Sequence, residues 1–183
     1  MRVHEINLGP QAYTNLSGCC RTAQANQARP LCLRYSTNMN PSFQPGHRFE
    51  WQTTVPGRAT VPELYHDTLF CREMPDVLAT GYLVGMMELA CLHGMMPFVD
   101  WPREQSLGTM VSFRHLAPTP PGMTLTIRGE VLEVEGRRVR FRVEAWDDVE
   151  KVCEGTHERC LIDTGRFAQK MANKQAAYEQ PST

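Results

Sequence analysis

Residues 77–99 read VLATGYLVGMMELACLHGMMPFV, and this stretch decides the fold. Drawn as a helix, the stretch is apolar on most of its faces, which is typical of a helix that is buried nearly all round. Pro75 lies where we expect this helix to begin, since proline is favoured in a first turn. Gly81, Gly85 and Ala90 would let the helix axis lie close against a sheet. The stretch therefore predicts one long central helix.

A membrane span is the alternative for this stretch. About 20 apolar residues cross a bilayer, and Gly81 and Gly85 form a G-x-x-x-G motif. However, Glu88 places an ionisable group near the middle, and amphipathic strands follow the stretch, which favours a core helix. We therefore expect no membrane association.

Strand patterns surround the helix. A short β-like run covers residues 49–55. After the helix, residues 106–116 alternate along the chain, which predicts one face made by Leu107, Thr109, Val111, Phe113 and His115. This parity places His115 towards the central helix.

The strongest hairpin signal is Glu135-Gly136, a tight turn between two alternating segments. In the next segment, residues 151–162, apolar and polar residues alternate less regularly, which is consistent with a bulge. Cys153, His157 and Arg159 share one of its faces. A helix over residues 164–178 closes the chain. The order of elements predicts an α+β fold with a curved antiparallel sheet wrapped round one long central helix.

Domain boundaries follow from composition. Residues 1–45 are rich in polar residues and proline without a sustained period, which predicts a poorly structured leader. We assign residues 46–172 to the folded domain and residues 173–183 to a C-terminal tail. Met39 offers an alternative start, in which case residues 1–38 would not belong to the natural protein.

Charge and cysteine content narrow the class of protein. With 19 Lys and Arg against 20 Asp and Glu, the net charge is −1, so the chain has no general attraction for nucleic acid. The seven cysteines are an odd number and contain no C-x-x-C motif. This predicts free thiols and no metal site, and it indicates a reducing compartment, the cytoplasm. Polar residues interrupt every apolar run in the first 30 residues, so we expect no signal peptide.

Three polar residues fall in the predicted core: Thr80, Glu88 and His115. A carboxylate in apolar surroundings is costly unless it is paired or protonated, so we expect Glu88 and His115 to form a couple near Thr80. The alternatives are a solvent-facing Glu88, a core histidine bonded to backbone, and a Thr80 that is only a first-turn residue. Eight helical residues span about 12 Å, so Thr80 and Glu88 touch only if Thr80 precedes the regular helix; otherwise a second subunit helps to complete the site.

These residues lie within motifs that resemble a known family. The motifs are residues 74–91, Ser106-Leu-Gly108-Thr109, His115, residues 117–122, Glu135-Gly-Arg-Arg and Gly155-Thr-His-Glu-Arg159. In this order they resemble the hotdog-fold thioesterases related to fluoroacetyl-CoA thioesterase, over roughly residues 46–172. The resemblance implies a homodimer, joined sheet edge to sheet edge, that acts on acyl-CoA. It also implies that Thr80, Glu88 and His115 are catalytic and that Gly108 lies at the active site.

The residue types fit thioester chemistry. Backbone N–H groups at the helix start, near Gly81, suit a developing oxyanion. Glu88 would act as base or nucleophile, and His115 would transfer protons or set the charge state of its partner. Thr80 would donate a hydrogen bond or attack the acyl carbon. The sequence leaves these assignments open, and none of them requires a metal or a cofactor beyond the coenzyme A of the substrate.

Other residues are assigned to substrate binding. We expect a cover over the acyl group from Val61, Leu64, Phe70 and Met74, although ordinary loop packing also explains them. The family's aromatic lid pair is replaced here by Cys71 and Met74, and Leu89 follows Glu88 in place of an aromatic, which argues against strict fluoroacetyl specificity. For the nucleotide end of coenzyme A the candidate cations are Arg137, Arg138 and Arg159.

The expected function is hydrolysis of a small or medium acyl-CoA to free acid and coenzyme A. A non-catalytic acyl-CoA-binding module would keep the pocket without turnover. A hotdog enoyl-CoA hydratase would add water without releasing thiol. An acyl-CoA panel followed by thiol release therefore separates the three functions.

Overall fold

The computed structural model describes residues 39–179, in which an antiparallel sheet packs on one long helix. The strands are β1 (Arg48–Thr54), β2 (Glu104–His115), β3 (Thr124–Glu135), β4 (Arg138–Trp146) and β5 (Lys151–Asp163), and the helices are α1 (Val61–Leu64), α2 (Thr80–Met95) and α3 (Thr164–Glu179). Short 3-10 turns cover Gly57–Ala59, Leu69–Glu73 and Met96–Phe98. The strand order is β1-β3-β4-β5-β2. The α+β architecture predicted from the sequence is therefore confirmed.

The β3–β4 hairpin turns at Gly136, whose φ of 57° lies in the left-handed region that glycine adopts without strain. Along β4 the burial alternates at every residue, from exposed Arg138 and buried Val139 onwards. The buried residues face α2, while Arg140 and Arg142 form ion pairs with glutamates on the opposite face of the sheet. The hairpin predicted at Glu135-Gly136 is confirmed.

Helix α2 lies across the inner face of the sheet. Its buried side is made by Leu83, Met86, Met87, Ala90, Cys91, Gly94 and Met95. The Phe49 ring fills the space that the missing side chains of Gly94 and Gly129 leave between the helix and β3. In the single chain one stripe of α2 stays exposed, namely Gly81, Gly85, Leu89 and His93. The prediction of a helix buried nearly all round thus holds only on the sheet side. The expectation that Gly81 and Gly85 face the sheet is wrong, since both lie on the exposed stripe, whereas Ala90 lies on the buried side.

The helix begins at Thr80, five residues later than Pro75 suggested. The intervening backbone is bonded elsewhere: Leu78 donates to the carbonyl of Thr119, and Ala79 donates to that of Ala59. These hydrogen bonds hold the segment extended, because its N–H groups are committed to other chain segments.

Strand β2 contains a bulge. Gly108 pairs with Arg159 and Met110 with Glu158, which leaves Thr109 as the extra residue. Because of this extra residue, the alternation of side chains between the two faces of the sheet starts again after Thr109. Leu107 is 40% exposed. The prediction that Leu107 and Thr109 share the face of His115 is wrong, since simple parity does not allow for an inserted residue. A bulge in β5 also occurs, at Val152.

The folded unit extends upstream of the expected boundary at residue 46. Met39 and Phe43 are buried in the core, and the Met39 N–H donates to the carbonyl of Gly136. Their segment is neither helix nor strand, so its apolar residues do not recur at a regular spacing. The sequence pattern therefore does not predict that Met39 and Phe43 are buried. The rest of the predicted leader, residues 1–38, and the last four residues of the predicted tail lie outside the described residues.

Within residues 39–179, none of the helices has the length and hydropathy needed to cross a membrane.

Candidate active site

The first part of the site joins the start of α2 to the end of β2. Thr80 is the first residue of α2 and His115 the last residue of β2. Their side chains meet in a hydrogen bond of 2.9 Å between Thr80 Oγ1 and His115 Nδ1. Strand pairing places Cys153 of β5 opposite His115.

The other ring nitrogen of His115 is left without a partner. Nε2 is buried and makes no hydrogen bond within residues 39–179. Burial lowers the pKa of His115 from its usual 6.5, and the backbone of Ala117 acts in the opposite direction. A neutral imidazole with a free nitrogen is a group that can bind a ligand or transfer a proton.

Thr80 and His115 stand on the wall of a cavity of about 260 Å³. The rest of the lining comes from Leu83, Val84, Val111, Ser112, Phe113 and Cys153. A cavity whose wall combines apolar side chains with polar groups can hold a small molecule. A larger cavity, of about 480 Å³, lies on the outer face of the sheet, where its arginines and glutamates are paired with one another.

The second part of the site surrounds Glu88, halfway along α2. The Glu88 side chain is 37% exposed and lies with Oε1 3.6 Å from His157 Nε2. A Cβ atom at Gly108 would overlap the Glu88 carboxylate, so the absence of a side chain there makes room for it. Gly108, expected at the active site, therefore lies against Glu88.

Arg159 completes this second part. The arginine is only 6% exposed. Its Nε donates to Ser106 Oγ at 2.9 Å and one terminal nitrogen donates to the Ser106 carbonyl at 2.8 Å. The other terminal nitrogen lies 3.4 Å from the Glu88 carbonyl and 3.3 Å from His157 Nε2. Burial lowers the pKa of Arg159, and the charge of Glu88 opposes that shift.

This location changes the interpretation of the candidate coenzyme A cations. Arg159 is bonded in the interior and faces Glu88, so it is not a surface cation for phosphates. Arg137 donates through Nε to the carbonyl of Leu161 at 2.7 Å. Arg138 is exposed at the β3–β4 turn.

The expected Glu88 and His115 couple is not among the contacts of the described residues. His115 bonds Thr80, whereas the histidine beside Glu88 is His157. The sequence pattern predicts His157 on the same face as Arg159 and does not indicate its place beside Glu88. Because Thr80 and Glu88 both belong to the regular helix, they are about 12 Å apart along its axis.

The segment between α1 and α2 partly covers the helix start. Leu64 and Tyr65 lie within 4 Å of the position that a Cβ of Gly81 would occupy, and Val61 is half-buried at the start of α1. Phe70 and Met74 are 71% and 44% exposed. Of the four predicted cover residues, Val61 and Leu64 are thus packed on the fold, and Phe70 and Met74 are open to solvent in the single chain.

Among residues 39–179 there is no group of three or more His, Cys, Asp or Glu side chains placed to hold a metal ion. The polar groups of the site are instead a threonine, two histidines, a glutamate and an arginine.

Comparison with known proteins gives a consistent result. The fluoroacetyl-CoA-specific thioesterase model, FlK, matches residues 64–165. The fluoroacetyl-CoA thioesterase of Streptantibioticus cattleyicolor is 42% identical over 139 residues, which cover 76% of this chain and 99% of the relative.

Solved structures agree with this match. A phenylalanine-to-alanine variant of FlK in complex with fluoroacetate and CoA superposes with a TM-score of 0.65 at 44% identity, covering 68% of this chain and 99% of that one. A hot-dog-like protein from Thermanaerovibrio acidaminovorans superposes with a TM-score of 0.62 at 20% identity, covering 74% and 95%, which supports the fold alone. The chain therefore has the hotdog fold and belongs to the fluoroacetyl-CoA-specific thioesterase family of acyl-CoA thioester hydrolases.

Proposed function

We propose that this protein hydrolyses small or medium acyl-CoA thioesters with Thr80, His115 and Glu88 as its catalytic residues. The observation that carries the proposal is the Thr80–His115 hydrogen bond on the wall of a cavity at the N-terminal end of α2. A relative of this chain has been solved with fluoroacetate and CoA, which supports a coenzyme A thioester as the substrate class.

The volume of the cavity is consistent with a substrate whose acyl group is small or medium in size. Its volume of about 260 Å³ holds an acyl group and excludes the bulk of coenzyme A, which has to extend outside. Free backbone N–H groups at the start of α2, near Gly81, are suited to the oxyanion that forms when the thioester carbonyl is attacked. Leu64 and Tyr65 lie close to Gly81, and together with Val61, Phe70 and Met74 they would cover the acyl chain.

The roles of the polar residues follow from their surroundings. His115 is held neutral by burial, so Nδ1 can accept the Thr80 hydroxyl proton while Nε2, which lacks a partner, donates to the substrate. Glu88 carries its carboxylate beside Gly108 and serves as general base or nucleophile. No cofactor takes part in this scheme other than the coenzyme A of the substrate.

Thiol release from a panel of acyl-CoAs tests the activity. We expect release from acetyl-CoA and other short acyl-CoAs, with no strict requirement for fluoroacetyl-CoA. Trapping an acyl-enzyme by rapid quench and mass spectrometry would identify the nucleophile, since a covalent intermediate adds the acyl mass to Thr80 or Glu88. Full thiol release by both Glu88→Gln and His115→Ala would contradict the assigned residues.

We also propose that the protein acts as a homodimer in which each site combines Thr80 and His115 of one chain with Glu88 of the other. The separation of about 12 Å along α2 prevents Thr80 and Glu88 of one chain from acting on the same carbonyl. Edge strand β2 leaves one side without a strand partner within the described residues, and its Leu107 and Val111 are 40% and 41% exposed. Such an edge is suited to pairing with a second copy.

Complementation tests the shared site. Thr80→Ala and Glu88→Gln chains, co-expressed with different tags and purified through both, form a heterodimer with one intact site. We expect this heterodimer to recover about half the wild-type kcat per dimer, while each parent homodimer stays inactive. A stable heterodimer without recovery would show that all three residues act within one chain.

We place the protein in the cytoplasm. Cys71, Cys91, Cys153 and Cys160 are free thiols, and none of the described cysteines is paired, as is usual for proteins of a reducing compartment. Cell fractionation with antibody detection tests this assignment, and recovery of the protein in an extracellular or periplasmic fraction would contradict it.

A further inference from the structure

His157 is an unusual residue in this site because it is buried, polar and has no role in the reaction described above. Its side chain has no exposed surface, and it stands on β5 two residues before Arg159. Its ring lies between Met110 of the β2 bulge and the Arg159 guanidinium. The contacts of its two ring nitrogens determine where its proton resides.

Nδ1 lies 2.8 Å from the backbone carbonyl oxygen of Met110. A carbonyl only accepts hydrogen bonds, so Nδ1 must carry a proton. Nε2 lies 3.3 Å from a terminal nitrogen of Arg159, and a guanidinium only donates. Nε2 must therefore be the acceptor, and the ring is neutral with its proton on Nδ1.

A protonated Nε2 would place two donors and two positive charges face to face in the interior. Burial lowers the pKa of His157, and the nearby Arg159 charge acts in the same direction, while the Met110 carbonyl and Glu88 oppose it. The contact of 3.6 Å between Nε2 and Glu88 Oε1 is thus not an ion pair, since an unprotonated nitrogen has no hydrogen to donate to the carboxylate.

The neutral ring affects what Arg159 can bind. The guanidinium donates to Ser106, to the backbone carbonyl of Glu88 and to His157. None of the contacts of the described residues is a hydrogen bond from Arg159 to the Glu88 carboxylate. A carboxylate bound to arginine by two hydrogen bonds is a weaker base and nucleophile than one that only lies near the cation.

We propose that His157 is a positioning residue, which as a neutral imidazole with its proton on Nδ1 accepts a hydrogen bond from Arg159 and keeps the guanidinium off the Glu88 carboxylate. The cation then stabilises the charge of the site while the carboxylate stays free to act. The kinetic part of this inference rests on the proposed function, whereas the protonation state of His157 does not.

Two substitutions separate the two hydrogen bonds. In His157→Asn the side-chain amide can still donate to the Met110 carbonyl, but the acceptor for Arg159 is lost. In His157→Gln the longer side chain can place its amide oxygen near the former Nε2 and accept from Arg159. We expect His157→Asn to lower kcat about tenfold with little change in KM, and His157→Gln to retain most of the kcat.

His47→Asn is the control for general loss of a packed histidine. His47 contacts Phe43 and Phe98, outside the site, so we expect lower thermal stability with unchanged kcat. Equal kcat losses in His157→Asn and His157→Gln, in proportion to lost stability, would reduce His157 to a packing residue and overturn the proposal.

Long-range ¹H–¹⁵N NMR of the labelled full-length protein tests the protonation state without any substrate. Nδ1 of His157 should show the shift of a protonated nitrogen and Nε2 that of an unprotonated one at pH 7, with assignment from the loss of these signals in His157→Asn. A protonated Nε2 would overturn the inference even if the thioesterase activity is confirmed. The expected tautomer in a protein that releases no thiol would instead contradict the proposed function alone.

Discussion

The Thr80 hydroxyl oxygen lies 2.9 Å from His115 Nδ1, a hydrogen bond between the first residue of α2 and the last residue of β2. The two residues are 35 positions apart in the sequence, and each stands where a regular element begins or ends. Their contact therefore depends on where the helix starts and where the strand stops, as well as on residue type.

Thr80→Val removes the hydroxyl at nearly constant volume. Because His115 then loses its partner in proton transfer, we expect kcat to fall about 100-fold with a small change in stability. Thr80→Ser keeps the hydroxyl and should stay within about tenfold of the wild type. Thiol release under saturating acyl-CoA measures both values, and a Thr80→Val enzyme with wild-type kcat would remove Thr80 from the catalytic set.

Gly108→Ala tests the placement of Glu88. The new Cβ would overlap the Glu88 carboxylate and lie 3.1 Å from His157 Cε1. Since the end of a flexible side chain can move aside at little cost, we expect a folded protein whose kcat is lowered about 10- to 100-fold. Gly57→Ala, which meets nothing within 4 Å, is the matched control and should be unchanged by the same assay. Equal activity in the two variants would mean that the position of Glu88 does not matter for turnover.

The pH dependence of stability follows from His115 and His157. Burial lowers the pKa of His115 and of His157 from 6.5, so below that pH the unfolded chain binds more protons than the native state. The free energy of unfolding should then decrease as the pH falls below about 6.5 and should gain nothing from these groups above it. Urea denaturation at pH 7.5 and pH 5.5 measures the difference. The double variant His115→Asn/His157→Asn should show a smaller difference, and an undiminished one would assign the effect to other groups.

Gly94→Ala tests the packing of α2 on the sheet. The added methyl group would overlap the Phe49 ring, which already fills the gap over Gly129. We expect a loss of about 1–3 kcal/mol in the free energy of unfolding, as for other overpacked cores. Adding Phe49→Leu should recover part of the loss by returning space. If the double variant is no more stable than Gly94→Ala alone, the ring is not the group that the methyl displaces.

The sequence predicted the elements whose signal is local. The alternation of Val139, Phe141 and Val143 indicated β4 correctly, because one face of that strand is core and the other is solvent. The turn at Gly136 was predicted from its residue type. The start of α2 was not, since the extended backbone at Leu78 and Ala79 is fixed by hydrogen bonds to distant segments.

The site was predicted in its residue types but not in its pairings. Glu88 lies beside a histidine, but that histidine is His157 and not His115. The choice between His115 and His157 depends on the register of β2 against β5, which parity along one strand does not fix. The sequence makes Arg159 a candidate for the nucleotide end of coenzyme A and does not predict its burial, because nothing in the sequence marks a charged residue that will be buried.

Thr109 has a consequence for how relatives of this protein are compared. As the extra residue of β2, it allows Gly108 to point at Glu88 while Val111 and His115 line the cavity of Thr80. If one residue were deleted here, the side chains on one side of the bulge would point to the opposite face of the sheet, although every site residue would keep its identity. The number of residues between Gly108 and His115 is thus as informative as the residues themselves, and a gap in that interval of an alignment indicates a different site.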